Sequence, residues 1–339
     1  MNELFMAETE RLHSAWMRHG GEKLARYLVR DVQDPRINLA SILTRQILLE
    51  EALGNRLAGL MLEERRFAVI MNWFLERIRA YGPRHLDTLL DALLDGSPVW
   101  KGSPVPAIVS TRFQELPGPV GGVEINNYVH EVLLSRQDCY SEQAIPEHVL
   151  NTFERLWSSR LAQESAAPIS VLEIACGSAN DYRFFDSFGL AQFLDYRGVD
   201  LCEKNISNAR SMFPGVAFEV GNVLALRFDD QEFEYCMVHD LLEHLSIPAM
   251  HQAIDEICRV TSRAVLVGFF SLHDIPDHVV VPVRPYYRNK LSLRRVRDLF
   301  RSHGLCVEGV PLARLVASQY QCEYGGNPGA CILTARRTE

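Results

Sequence analysis

The chain has 339 residues, of which 47% are hydrophobic, and its 35 basic and 43 acidic side chains give a formal net charge of −8. This length suits two domains, and the acidic balance argues against nucleic acid and anionic membranes as main partners, because their phosphates would be repelled. The eight cysteines form no C-x-x-C pair of the kind found in zinc and redox sites. The first residues lack a basic and apolar leader, and the longest apolar runs are too short to span a bilayer, so we expect a cytoplasmic protein without membrane attachment.

Apolar residues recur at three- and four-residue spacing within the first 95 residues. One series runs from Leu39 to Leu48 and another from Ala68 to Ile78. This spacing predicts amphipathic helices, so we expect an N-terminal all-α domain. The apolar stripes would form either the core of that domain or the interface of a homodimer through the N-terminal helices.

Proline and glycine are concentrated between residues 96 and 122, where they favour an extended connection. The predicted N-terminal helical domain therefore comprises residues 1–122 and ends with this connection. Apolar stripes return between residues 123 and 168. They predict a helical lid or linker that packs over the mouth of the following domain.

Short apolar runs alternate with helical stretches from residue 169 to residue 339. The predicted strands cover residues 171–175, 196–201, 217–220, 235–239, 264–269, 306–310 and 330–335. Such alternation is typical of α/β proteins and predicts a Rossmann-like, doubly wound, mostly parallel sheet in residues 169–339. Because ligands of such sheets bind at the carboxyl ends of the strands, the residues that end these strands are candidates for the functional site.

The first of these strands leads into a glycine turn, in the sequence Val171-Leu-Glu-Ile-Ala-Cys-Gly-Ser-Ala-Asn-Asp181. Gly177 can turn sharply and lets the backbone approach a ligand, which is typical of nucleotide-binding turns. The second glycine of the dinucleotide motif G-x-G-x-x-G is absent, because Ala179 stands in its place. Glu173 lies inside the apolar strand, where a carboxylate is unfavourable unless a cation or several donors meet it. A ligand with an ammonium or sulfonium group would therefore fit this turn.

From about residue 169 to residue 339 the chain resembles the class I S-adenosylmethionine-dependent methyltransferases, in their small-molecule branch. The family's first strand carries an E/D-x-G-C-G-x-G-like motif, which residues 173–179 resemble, with Ala175 and Ala179 where glycine is common. The resemblance implies S-adenosylmethionine as the cofactor. It also implies Glu173, Ala175 and Gly177 as residues of the cofactor site.

The second and third strands end in polar residues that the resemblance places against the nucleoside. Asp200 stands where the family has an acid that grips both ribose hydroxyls, although an NAD enzyme would use an acid in the same way. Asn222 stands where the family usually has an aspartate facing the adenine amino group, and its amide can accept from that amine. Leu201 and Val223, which follow these two residues, complete the predicted cofactor site.

The fourth strand leads into His239-Asp-Leu-Leu-Glu-His-Leu245, which resembles the family's V-L-E-H-L signature. His239 stands at the strand end, where the donor methyl and the acceptor should meet, so a neutral imidazole there could act as general base and also contact the cofactor. The alternative is a histidine that hydrogen-bonds the start of the next helix. His244 is expected to have a structural role, although it also stands near the acceptor site.

A second polar cluster, His273-Asp-Ile-Pro-Asp-His278, follows the fifth strand. Together with the histidines after the fourth strand it could supply ligands for a metal. The family generally needs none, so we expect no metal site.

Other residues are candidates for the acceptor site. Tyr286, Tyr287 and Arg288 offer aromatic faces and a cation, and His273 lies just upstream. In the segment before the first strand, Tyr128 and Tyr140 are candidates because the family often closes N-terminal helices over the donor.

The sequence therefore predicts transfer of a methyl group from S-adenosylmethionine to an O, N or C atom of a small molecule by in-line displacement. Several alternatives stay open: a tRNA or other nucleic-acid methyltransferase, an NAD-dependent Rossmann oxidoreductase, a metal-assisted methyltransferase, and a binding module without activity. The acidic charge and the lack of an N-P-P-Y-like motif argue against the nucleic-acid enzymes.

Overall fold

The computed structural model describes residues 34–82, 85–114, 147–283 and 286–337. Tyr128 and Tyr140, and most of the predicted lid, lie outside the described residues.

The chain begins its described part with two helices, α1 (Leu39–Leu53) and α2 (Ala58–Tyr81), joined by a 3₁₀ turn at Gly54–Leu57. Asn38 caps α1, because its side chain accepts from the N–H groups of Ala40 and Ser41. Both helices coincide with the apolar series of the sequence, and the predicted helical character of this region is confirmed.

The Pro/Gly-rich connection is more regular than predicted. After α3 (Leu86–Leu94) come a hairpin of β1 (Val99–Trp100) and β2 (Ser103–Pro104) and the helix α4 (Ala107–Gln114). Lys101 and Gly102 both have positive φ, which suits a two-residue hairpin turn, and Pro106 stands just before the helix, where its missing N–H removes no helical bond. The prediction of a wholly extended connection over residues 96–122 is therefore wrong for residues 99–114.

Two short helices, α5 (Glu147–Leu150) and α6 (Thr152–Leu161), precede a seven-stranded sheet. Its strands are β3 (Ile169–Ile174), β4 (Leu194–Asp200), β5 (Ala217–Val220), β6 (Phe233–His239), β7 (Thr261–Phe269), β12 (Leu305–Pro311) and β13 (Cys331–Arg337). Their spatial order is β12-β13-β7-β6-β3-β4-β5. β3 to β7 pair in parallel, and β13 runs antiparallel to both of its neighbours, so the predicted mostly parallel, doubly wound sheet is confirmed.

Helices connect the successive strands of the sheet except β5 and β6, between which residues 221–232 form no helix. These helices are α7 (Asn180–Ser187), α8 (Glu203–Met212), α9 (Ile247–Val260), α10 (Leu293–Ser302) and α11 (Leu312–Tyr320), with 3₁₀ turns at Ala191–Phe193 and Leu242–His244. Between β7 and α10 the chain forms two small strand pairs, β8 (Leu272–His273) with β11 (Leu291–Ser292) and β9 (Pro282–Val283) with β10 (Tyr286–Tyr287). Ser292 caps α10 as predicted, because its hydroxyl accepts from the N–H of Arg295.

The two faces of the sheet bury different sets of residues. Val171 and Met237 point to one face and share one continuous apolar core with α1 and α2, where Ile42 and Leu48 are fully buried. Leu172 and its neighbours point to the other face, against α9 and α10. The N-terminal stripes are therefore buried within the chain, against the sheet. The division at residues 122 and 168, and a homodimer through the N-terminal helices, stay predictions.

Polar contacts also fix α1 to the sheet. The hydroxyl of Tyr235 on β6 donates to Glu51 of α1 at 2.6 Å, and Arg336 on β13 pairs with the same carboxylate at 3.0 Å. In the part of the chain that the structure describes, no helix combines the length and the apolar character needed to cross a membrane.

Candidate functional site

A cavity of about 350 Å³ opens at the carboxyl ends of β3, β6 and β7. The pairing of the strands explains its position, because Ile174 lies opposite both Val199 and Val238. The next residue of each strand therefore reaches the same edge of the sheet. The turn after β3, the end of β6, the first turn of α1 and the loop before β13 line this cavity.

The turn after β3 has an unusual backbone. Ala175, Gly177 and Ala179 have φ angles of 59°, 56° and 64°, which lie in the left-handed region. This conformation costs an alanine about 1–2 kcal/mol, so the two alanines carry strain that the surrounding packing must offset. Every second residue of the turn thus has the left-handed backbone conformation that glycine adopts easily, and the motif that the sequence resembles has glycine at these positions.

Glu173 is 3% exposed and lines the cavity from β3. The hydroxyl of Tyr196 on β4 donates to its carboxyl group at 2.5 Å. Burial, reinforced by the charge of Asp181, raises the pKa of Glu173 to about 8. This carboxyl group is therefore mostly protonated at neutral pH, and a cation in the cavity would favour its ionised form.

His239 at the end of β6 also lines the cavity, as the sequence predicted, and both of its ring nitrogens have partners. Nδ1 lies 2.7 Å from a carboxylate oxygen of Asp181 on α7, and Nε2 lies 3.2 Å from the hydroxyl of Thr44 on α1. Burial lowers the pKa of His239, but the charge of Asp181 outweighs it and raises that pKa to about 9. The imidazole is thus protonated at neutral pH.

The neighbouring strand makes room for this ring. A Cβ at Gly268 of β7 would lie 2.3 Å from Cδ2 of His239, so a side chain at residue 268 would displace the imidazole. The residue that follows His239, Asp240, has a positive φ of 47°. The position of His239 is therefore fixed from several sides.

Asp200 ends β4 with its carboxylate 7% exposed and already engaged. It accepts from the backbone N–H of Gly177 at 3.0 Å and of Cys202 at 2.7 Å, and from the side chain of Asn205 at 3.2 Å. A carboxylate accepts about four hydrogen bonds, so one further bond is available to a ligand. The grip on two ribose hydroxyls would require one of these protein bonds to be exchanged.

None of the predicted nucleoside residues lines the cavity, Asp200 included. Leu201 is 61% exposed, Asn222 is exposed and accepts from the N–H of Leu224 at 3.0 Å, and Val223 is half-buried. Leu201, next to Asp200, therefore presents an apolar side chain to solvent.

The residues predicted for the acceptor site after β6 and β7 do not line the cavity. His244 bonds the backbone carbonyl of Tyr287 at 2.9 Å and packs edge-on against Tyr286, and His273 bonds the hydroxyl of Ser271 at 3.0 Å. These contacts hold the β7–α10 connection to the sheet. Arg288 contacts the cavity indirectly, because its guanidinium lies 5.2 Å from the ring of Phe270, which lines it.

The glutamate of the V-L-E-H-L-like motif has a structural role. Glu243 is fully buried, and its carboxylate accepts from the N–H groups of Phe270 and Ser271 just after β7. His278 accepts from the N–H of Ser292. Across the described ranges, no three His, Cys, Asp or Glu side chains form a group that could hold a metal ion.

Sequence reasoning missed four cavity residues or their partners: Thr44, Asp181, Arg183 and Tyr324. Arg183 on α7 is half-buried above the ring of Phe184, and its Nη2 is buried without a hydrogen-bond partner among the described residues. A buried guanidinium nitrogen without an acceptor is unfavourable, so a carboxylate ligand would suit it. Burial raises the pKa of Tyr324 to about 12, which keeps its hydroxyl a neutral donor. Of these four residues, Asp181 alone belongs to the glycine-turn stretch that the sequence marks. The sequence therefore gave little reason to predict that the four residues belong to the site.

Comparison with known proteins agrees with this geometry. A family model described as a methyltransferase domain matches residues 171–263. A search of curated proteins found no match.

Solved structures resemble part of the chain. An S-adenosylmethionine-dependent methyltransferase from Mesorhizobium loti is 13% identical, with a TM-score of 0.41, over 55% of this chain and 99% of that chain. A methyltransferase of the same kind from Methanosarcina mazei is 13% identical, with a TM-score of 0.40, over 52% of this chain and 96% of that one. The phosphoethanolamine N-methyltransferase 2 of Haemonchus contortus, solved with S-adenosylmethionine, is 14% identical, with a TM-score of 0.38, over 55% of this chain and 52% of that chain.

The family match covers the strained turn, Asp200 and His239, and the sheet around them is mostly parallel, as predicted. Residues 171–263 therefore match a methyltransferase domain within a Rossmann-like sheet.

Proposed function

We propose that this methyltransferase acts on a small-molecule acceptor bound in the cavity at the carboxyl ends of β3, β6 and β7. The observation that carries the proposal is the convergence of Glu173, Asp181, Arg183 and His239 on one cavity of about 350 Å³. The first turn of α1 and the loop before β13 enclose it, which leaves room for a small acceptor.

The residues present fit S-adenosylmethionine. Its cationic groups suit the buried carboxyl of Glu173, and its ribose suits the remaining acceptor position of Asp200. Its carboxylate suits Nη2 of Arg183, which has no hydrogen-bond partner in the part of the chain that the structure describes. When bound, S-adenosylmethionine supplies an electrophilic methyl group on a sulfonium, and a lone pair of the acceptor displaces S-adenosylhomocysteine in line.

The chain's own residues contribute mainly position and charge. Holding two reactants in line can lower the barrier by up to about 7–11 kcal/mol, so rigid placement is the main source of catalysis available here. The strained turn, the Asp181–His239 pair and the buried Glu173 are all held by several contacts. We propose that His239 orients the site through its charge. Its predicted action as general base would first require loss of a proton, which its high pKa opposes.

Titration calorimetry with S-adenosylhomocysteine and with NADH tests the donor site. We expect the chain to bind S-adenosylhomocysteine, and NADH at least about 100-fold more weakly, because the turn lacks the second glycine that a pyrophosphate needs. Preferential binding of NADH would contradict the proposal in favour of an oxidoreductase.

The small-molecule acceptor needs a separate test. A fluorescence binding assay with mixed tRNA, run at several salt concentrations, should show no appreciable affinity at physiological salt, because the chain has a formal net charge of −8. Tight binding that weakens steeply with salt would support a nucleic-acid acceptor.

A further inference from the structure

We propose that helix α1, which lies outside the matched region 171–263, completes the active site through Thr44, a positioning residue that holds His239 with both ring nitrogens protonated. No motif in the sequence marks Thr44. The proposal rests on the proposed function only in treating His239 as a residue of the methyl-transfer site.

The hydrogen atoms at Thr44 can be counted. Its hydroxyl has one proton, which it donates to the carbonyl of Ala40 at 3.0 Å, one turn earlier in α1. Towards His239 Nε2, 3.2 Å away, the hydroxyl oxygen can then only accept. With the hydroxyl proton on the carbonyl of Ala40, Nε2 carries the proton of this contact.

The other ring nitrogen, Nδ1, also carries a proton. Nδ1 of His239 lies 2.7 Å from Asp181, whose carboxylate has no proton to donate. With Nδ1 and Nε2 both donating, the ring is an imidazolium held between α1 and α7. Strand β7 lies against the ring, since a Cβ at Gly268 would lie 2.3 Å from Cδ2 of His239.

The charged groups around the ring come from four elements. Asp240 after β6 and, when it is ionised, Glu173 on β3 add to the negative charge of Asp181, while Arg183 on α7 and Arg45 on α1 offset it. Arg45 is engaged elsewhere, because it pairs with the buried Glu64 at 3.1 Å and lies 4.0 Å from the ring of Phe188. Asp181 contacts the ring directly, so its charge favours the imidazolium form.

Thr44 is well placed to act in this way because α1 is rigid. Thr44 is 1% exposed, and the helix is tied to the sheet through Glu51. The ion pair of Arg45 and Glu64, which Gln46 also joins at 2.8 Å, fixes α1 to α2.

An imidazolium with both N–H groups engaged cannot take a proton from the acceptor. The acceptor must then bring its own available lone pair, as an amine, a thiolate or a carboxylate does, and not as a neutral hydroxyl that needs a general base. This conclusion about the acceptor class depends on the proposed function, whereas the Thr44–His239 contact does not.

Nuclear magnetic resonance of the full chain with ¹⁵N-labelled histidine tests the contact without an acceptor. The variant His239→Gln identifies the resonances of this ring. In the wild type we expect both ring nitrogens to be protonated at neutral pH, with a midpoint of titration at about 9. Thr44→Val removes the hydroxyl at almost constant volume and should lower that midpoint by about one pH unit, while Thr44→Ser should retain it.

Thr261→Val is the matched control. The hydroxyl of Thr261 is also buried and also donates to the carbonyl four residues earlier, at 2.7 Å, but it lies at the opposite end of the sheet from His239. This variant should leave the midpoint unchanged. A neutral His239 in the wild type at neutral pH, or equal midpoints in folded wild type and Thr44→Val, would overturn the proposal.

Calorimetry with S-adenosylhomocysteine on the same samples separates the role of Thr44 from the proposed function. If this ligand fails to bind while the titration midpoint moves as expected, the proposed function fails and the role of Thr44 at His239 stands. If Thr44→Val does not fold, the wild-type ring nitrogens and the Thr44→Ser midpoint still decide the question.

Discussion

Two regions meet at the cavity, and they differ in how the sequence encodes their contribution. The turn after β3 is a contiguous stretch in which Glu173, Ala175 and Gly177 act through the local backbone, so a motif describes it. Helix α1 contributes Thr44 from 195 positions away from His239, through a contact that exists only after folding. We propose that the matched domain binds the methyl donor, and that the preceding helices position the ring of His239 and enclose the acceptor.

The largest expected effect tests whether α1 belongs to the same folding unit as the sheet. Ile42 is fully buried in the core that α1 shares with β3 and β6. Ile42→Ala should lower the free energy of unfolding of the whole chain by about 2–5 kcal/mol in one cooperative transition, because it opens a cavity in that core. Urea denaturation followed by circular dichroism measures this. A separate early transition confined to the N-terminal helices would show two independent units.

The next effect tests the cradle itself. Asp200→Ala removes the carboxylate that fixes the N–H of Gly177, and the affinity for S-adenosylhomocysteine should fall about 100-fold or more. Asp195→Ala, at the opposite end of β4 on an exposed residue, is the control and should bind like the wild type. Equal affinities of wild type and Asp200→Ala in calorimetry would show that the donor binds elsewhere.

A pH dependence follows from the buried carboxyl of Glu173. Its pKa in the folded chain lies near 8, above the ordinary value of 4.5, so the folded state holds more protons than the unfolded state between these values. Stability therefore falls as the pH rises through this window. Glu173→Gln keeps an acceptor for Tyr196 and removes the titration, so the wild type should lose about 1–2 kcal/mol more than the variant between about pH 6 and 8. Chemical denaturation at several pH values measures the free energy of unfolding of both proteins. An equal change with pH in the wild type and in Glu173→Gln would contradict this prediction.

The smallest expected effect concerns Arg183, which no motif indicated. Arg183→Met keeps much of the stem that lies on Phe184 but removes the buried nitrogen, and should weaken S-adenosylhomocysteine binding about tenfold. Arg288→Met, which also removes a guanidinium above a phenylalanine ring but outside the cavity, should have no effect on binding. Equal losses in both variants would point to general charge and not to a specific contact.

The sequence predicted those features that depend on neighbours along the chain. The strands, the positions of Glu173, Asp200 and His239 at one edge, and the Ser292 cap all follow from local pattern and from the parallel order of the sheet. The acceptor candidates Tyr286 and Tyr287 did not reach the cavity, because the β7–α10 connection folds back onto His244.

Other features depend on distant packing. Thr44 is one polar residue within an apolar stripe, and Tyr324 lies in an irregular loop before β13, so neither has a pattern that marks it. The short hairpin at residues 99–104 could not be predicted, because its one proline and one glycine also suit an extended chain.

A crystal structure of the chain with S-adenosylhomocysteine would test most directly whether the matched domain and α1 form one active site. We expect the ligand to lie along the turn after β3, with its carboxylate at Arg183, its sulfur between Glu173 and His239, and the Thr44–His239 contact of 3.2 Å retained. A ligand bound away from these strand ends, or a complex in which α1 has left His239, would contradict this expectation.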